Sequence, residues 1–73
     1  MTIAETITIT VNGKDEAIAV GLTVADLLAA RGITTTLVAV ERNGRILRKA
    51  EFPDTALAVG DKLEIAHFVG GGD

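Results

Sequence analysis

The chain closes on Phe68, Val69, Gly70, Gly71, Gly72 and Asp73. This glycine run is the stretch whose residue types and position most directly suggest chemistry. Glycine has no Cβ, so it enters conformations and narrow channels closed to other residues, at an entropic cost when ordered. Fully extended, residues 69–72 reach about 14 Å at about 3.5 Å per residue, far enough to carry a carboxyl group from a domain surface into a partner's active site. The competing reading is a frayed end, because terminal residues are commonly disordered. The final residue is Asp73 rather than a glycine, so the terminal α-carboxylate as written belongs to an aspartate.

Other chemistry-bearing side chains are sparse. With no cysteine, disulfides, thiolate metal sites and cysteine nucleophiles are excluded. His67 is the single histidine and has no evident partner, so no catalytic role is expected of it. No clustered metal ligands and no phosphate-cradling glycine motif such as GxGxxG or the Walker pattern occur. Arg42, Arg45, Arg48 and Lys49 are interspersed with Glu41 and Glu51, the pattern of a solvated mixed-charge face rather than a phosphate-binding patch. Phe68 is out of phase with Leu63 and Ile65. It is therefore expected on the less buried face of a closing strand, where Phe68 and Val69 are candidates for partner contact. Packing of Phe68 on the protein's own sheet is the alternative.

These residues need elements to position them. Ile7, Ile9 and Val11 alternate with Thr6, Thr8 and Thr10 at the period of a strand. Asn12-Gly13 follows, a pair that tolerates positive φ and predicts a hairpin into a second strand at 15–20. Thr23, with Asp26 three residues on, reads as a helix N-cap and its capping-box acid. A short helix over 24–31 is predicted, with Val24, Leu27, Leu28 and Arg31 on one face and Gly32 as its stop. A strand over 37–42 leads into a second hairpin turn, Asn43-Gly44, and a short strand at 45–47. Residues 49–57 lack a period and contain Pro53, so a loop with one helical turn is expected there. Gly60-Asp61 should turn the chain into a final strand over 62–68. The expected class is α+β, a ββαββ mixed sheet packed against one helix.

The expected core is Ile7, Ile9, Ile18, Val24, Leu27, Leu28, Val38, Val40, Leu57, Leu63 and Ile65. Seventy-three residues make one domain at most, of which roughly 60% of the unfolded surface is buried on folding. The apolar fraction of 48% is drawn almost wholly from Ala, Val, Ile and Leu, which suits an efficient small core. Ten acidic against seven basic side chains leave a net charge of −3, which argues against a general nucleic-acid binder and permits docking onto a basic partner, although solubility alone is the better reading of the charge by itself. No apolar run approaches the about 20 residues of a membrane span. A cytoplasmic protein is expected, with a domain over 1–69 and a flexible tail over 70–73.

The helix opening Leu22-Thr23-Val24-Ala25-Asp26-Leu27-Leu28, the strand and turn Val38-Ala39-Val40-Glu41-Arg42-Asn43-Gly44, the segment Leu57-Ala58-Val59-Gly60-Asp61-Lys62-Leu63-Glu64-Ile65 and the closing Phe68-Val69-Gly70-Gly71-Gly72 together resemble the ThiS family of thiamine-biosynthesis sulfur carriers. The resemblance covers nearly the whole chain and rests on the order, spacing and terminal position of its parts. It implies a ubiquitin-like β-grasp fold with the first and last strands parallel at the centre of the sheet. The related small subunit of molybdopterin synthase has prolines before its Gly-Gly end, and none occurs here.

By this resemblance the protein is not an enzyme but a carrier modified by partner enzymes. Gly72 is then the residue that is adenylated and converted to a thiocarboxylate, and Gly70 and Gly71 form the thin stem behind it. No cofactor is bound by the carrier, and MgATP is used by the activating partner. The implied partners are a ThiF-like adenylating enzyme, a ThiG-like thiazole synthase and a persulfide sulfur donor, with neither nucleic acid nor membrane. A carrier for molybdopterin or cysteine synthesis would use the same tail chemistry, and a non-reactive ubiquitin-like interaction module would use none. Asp73 departs from the family pattern, and its removal is expected to expose Gly72.

Overall fold

The computed structural model describes residues 5–33 and 37–67. The period-two segment forms β1 (Thr6–Val11), with Ile9 and Val11 buried and Thr6 and Thr8 exposed. It ends because Asn12 and Gly13 take φ values of 50° and 84°, the left-handed pair whose twist matches the strands of a two-residue hairpin. β2 (Lys14–Ala19) returns antiparallel, with Val11 opposite Lys14 and Ile7 opposite Ile18. It starts one residue earlier than expected because the turn is as tight as a hairpin allows.

The helix α1 (Val24–Ala30) begins at Thr23 with both arms of a capping box. The Thr23 hydroxyl accepts the Asp26 N–H at 3.1 Å, and the Asp26 carboxylate accepts the Thr23 N–H at 3.0 Å. The backbone bond first and the hydroxyl second hold the Asp26 carboxyl below its usual value, against a small opposing effect of desolvation. Val24, Leu27 and Leu28 are buried. Arg31, expected on the same face, caps the helix and is exposed; its guanidinium reaches an ion pair with Glu16 on β2, as a long charged side chain does when its head is kept in water.

β3 (Val38–Arg42) turns through Asn43 and Gly44, at φ 54° and 83°, into β4 (Arg45–Leu47). The Lys49–Asp54 segment, which contains Pro53, forms a 3-10 helix that packs against α1. β5 (Lys62–His67) closes the sheet, whose order is β2-β1-β5-β3-β4. β1 and β5 are parallel, while β3 is antiparallel to both β5 and β4. The α+β class and the parallel central pair match the expectation. All five expected strands are present among the described residues, one more than the ββαββ shorthand counts.

The core lies between α1 and one face of this sheet, and it departs from the expected set in four places. Ile7 is only partly buried, packed against the core near the start of β1, because β5 pairs with β1 only at Thr10 and Val11. Val11, Leu47 and Phe52 are buried and were not expected to be. Val11 lies against a turn, and β4 is too short to display a period. Phe52 enters from the 3-10 helix, whose three-residue turn follows neither the strand nor the α-helix repeat.

Candidate functional site at the end of the central strand

The residues that sequence reasoning singles out for chemistry follow directly from β5. Phe68, Val69, Gly70, Gly71, Gly72 and Asp73 lie outside the described residues. The geometry on view is therefore that of the strand from which they continue. β5 is the middle strand of five, flanked by β1 and β3. Strand alternation directs the backbone groups of Leu63, Ile65 and His67 toward β1 and those of Lys62, Glu64 and Ala66 toward β3.

Both asparagine turns hold this strand through their side chains. Asn12 donates from Nδ2 to the Ile65 carbonyl at 3.1 Å, and its Oδ1 accepts the Ile65 N–H at 2.7 Å. Asn43 accepts the Lys62 N–H on Oδ1 at 2.9 Å, while its own N–H donates to the Lys62 carbonyl at 2.8 Å. No function beyond turning was expected of Asn12 or Asn43. The sequence shows only that an asparagine in a left-handed turn has a carboxamide free to bond elsewhere; its partner on β5 is set by the tertiary fold.

Asp61, read as a turn residue, is the buried anchor at the start of β5, with 5% of its surface exposed. Its carboxylate accepts from Arg42 Nε at 2.9 Å, Asn43 Nδ2 at 3.1 Å and the Ala58 N–H at 2.9 Å. Burial pushes this carboxyl up. The Ala58 amide, the Arg42 and Asn43 hydrogen bonds and the Arg42 charge together outweigh it and hold the group below the usual 3.8. Arg42 thus pairs with Asp61, and Arg48 pairs with Glu51 at 3.2 Å. This agrees with a mixed-charge surface rather than a basic patch.

His67 is exposed, ends β5 and sits opposite Val38. Among the described residues no group of three His, Asp or Glu side chains could hold a metal ion, and no helix is long and apolar enough to cross a membrane. On the sheet face away from α1, Ala39, Glu41, Ile46, Glu64 and Ala66 line a shallow depression of about 170 Å³. Ile46 is 69% exposed there. Glu41 stands directly across from both Ile46 and Glu64 in the strand register, so two acids face each other on adjacent strands.

Comparison with known proteins gives this geometry a lineage. The chain is 44% identical over 50 residues to the sulfur carrier protein ThiS of Bacillus subtilis, a match covering 68% of this chain and 76% of that protein. It is 42% identical over 62 residues to a thiazole synthase of Paramagnetospirillum magneticum and 34% identical over 61 residues to one of Magnetococcus marinus. Those matches cover 85% and 84% of this chain but span only 19% of each thiazole synthase. The crystal structure of the thiamine biosynthesis protein ThiS of Geobacter metallireducens superposes with a TM-score of 0.75 at 38% identity, covering 90% of this chain and all of that one. Its solution structure does so with the same score at 37% identity, covering 92% and 90%. With the model of the ThiS family matching residues 4–72, and with a β-grasp sheet whose central strand runs toward the glycine tail, the chain belongs to the ThiS family.

Proposed function

We propose that the protein is a sulfur carrier for thiazole formation in thiamine biosynthesis, and that its working group is the carboxyl of Gly72. The observation that carries this reading is the family match over residues 4–72, which includes the glycine run and stops one residue before Asp73. The two thiazole synthases that contain a segment similar to this chain support a thiazole synthase as the sulfur acceptor.

A glycine carboxylate is a poor electrophile. On a ThiF-like enzyme its oxygen attacks the α-phosphorus of MgATP, and pyrophosphate leaves. The terminal sulfur of a persulfide then attacks the acyl carbon and expels AMP. Cleavage of the resulting acyl disulfide by a thiol leaves a thiocarboxylate. The carrier supplies no acid, base or nucleophile to these steps apart from the carboxylate itself. Its contribution is a slender stem, since Gly70 and Gly71 place no Cβ against the channel walls. Glu41 and Glu64 beside Ile46 form an acidic, partly apolar face that suits a basic surface on the activating enzyme.

The test is ATP-pyrophosphate exchange by the chain ending at Gly72 with a ThiF-like enzyme, followed by intact mass after addition of a persulfide donor. The expected product carries the mass increase of one oxygen replaced by sulfur at Gly72. Gly71→Val should fold normally and lose exchange, because a branched side chain obstructs a channel shaped around glycine. Exchange by Gly71→Val at the unmodified rate counts against the stem. Absence of both exchange and mass change in the 72-residue chain ending at Gly72 counts against the carrier.

A further inference from the structure

The parallel ladder between β1 and β5 stops short of the end of β5. Thr10 N–H donates to the Asp61 carbonyl and Asn12 N–H to the Leu63 carbonyl, each at 2.9 Å. The chain then turns away through Asn12 and Gly13 into β2, on the far side of β1. Ile65, the next β5 residue facing that side, has its N–H and carbonyl taken instead by the Asn12 side chain, at 2.7 and 3.1 Å. The carboxamide oxygen accepts and one of its two N–H groups donates, as the two sides of a peptide backbone would, and so it continues the ladder by one further step. His67 is the following residue of that phase, the end of β5 and the start of the run to Gly72.

We propose that Asn12 is a positioning residue. Its carboxamide fixes the end of β5, and hence the point and direction from which residues 68–72 continue toward a partner. The proposal rests on the sulfur-carrier reading for its functional consequence and on the Asn12–Ile65 geometry for its structural one. A strand end held on both sides presents the tail stem to the activating enzyme with part of its ordering cost already met, and each backbone residue left unfixed raises that cost at binding. Asn12 should therefore act on the apparent affinity of the carrier for the enzyme rather than on the chemical step.

The second asparagine turn supplies the control. Asn43 has the same left-handed backbone and also bonds β5 through its side chain, but at Lys62, the far end of the strand. Asn12→Gly and Asn43→Gly both keep a residue content with positive φ and both delete the carboxamide. In hydrogen exchange, Asn12→Gly is expected to release the Ile65 amide by about ten-fold while sparing Leu63, and Asn43→Gly is expected to leave Ile65 protected. In steady-state adenylation, Asn12→Gly is expected to raise KM for the carrier by about ten-fold with kcat within about two-fold, and Asn43→Gly to leave KM unchanged. Asn12→Asp, which keeps the acceptor but sets a carboxylate against the Ile65 carbonyl, should fall between. An unchanged KM in Asn12→Gly, or an equal rise in Asn43→Gly, overturns the positioning role. If the chain ending at Gly72 releases no pyrophosphate, the sulfur-carrier reading has failed, and the exchange comparison alone then decides whether Asn12 holds the strand end.

Discussion

Three polar side chains do more for β5 than their places in the sequence suggest. Asn12 and Asn43 substitute for absent strand neighbours, and Asp61 gathers three donors at the strand's start. Truncating Asp61 would leave the Ala58 N–H and the Asn43 amide without their acceptor. Asp61→Ala is therefore expected to cost about 1 to 3 kcal/mol in urea unfolding at neutral pH. The pH dependence follows from the native carboxyl lying below the usual 3.8. Above 3.8 the unfolded group is ionised as well, and the stabilisation is present in full. As pH falls below 3.8 the unfolded chain takes up the proton first, and the stabilisation is lost as pH drops through the lower native value. Unfolding curves between neutral and acid pH should thus show a smaller acid loss for Asp61→Ala than for the unmodified chain. Parallel curves would remove Asp61 from the acid response.

At the scale of elements, what was legible had a local cause. Both asparagine-glycine turns, the Thr23 capping box and the alternation of β1 are decided by residues within a few positions of one another, and each stands where its residues direct. Phe52 and Leu47 were not legible, because their burial depends on where a 3-10 helix and a three-residue strand come to rest against distant partners. The side-chain clamps on β5 were invisible for the same reason, since Asn12 and Ile65 meet only once the parallel ladder has formed. Leu27 tests the helix placement. It is 4% exposed on the face of α1 that meets the sheet, and Leu27→Ala is expected to cost about 2 to 5 kcal/mol. The sheet's outer face tests the opposite sign. Glu41 and Glu64 are cross-strand partners of like charge, and Glu64→Lys converts a repulsive pair into an attractive one. It should raise stability by about 0.2 to 1 kcal/mol, while weakening the proposed engagement with a basic surface on an activating enzyme.

For the molecule as a whole, the proposed function divides the labour of a small carrier between a rigid sheet and a terminal group. The sheet places β5 at its centre, with hydrogen-bonded strands on either side, so the strand that continues into residues 68–72 is the one least able to shift. The elements were legible from turns and periodicity, whereas their β-grasp order, with the first and last strands parallel at the centre, came from the family resemblance. The roles of Gly70, Gly71 and Gly72 rest on the family resemblance and on glycine's lack of a Cβ, and these residues lie outside the described part of the chain. Asp73 sits beyond the proposed working carboxyl of Gly72. If residue 73 stays attached, adenylation forms an aspartyl adenylate one position too far along the stem, with a carboxylate side chain where the ATP phosphates approach. Like charges at that range repel, and a channel built for glycine has little room for the side chain. We therefore propose that the working form ends at Gly72. The 72-residue and 73-residue chains should unfold alike, since the change is remote from the core. Pyrophosphate release and thiocarboxylate formation should be confined to the 72-residue form. Equal activity with Asp73 retained and itself adenylated would overturn the processing step, and inactivity of both forms would favour a non-reactive interaction module.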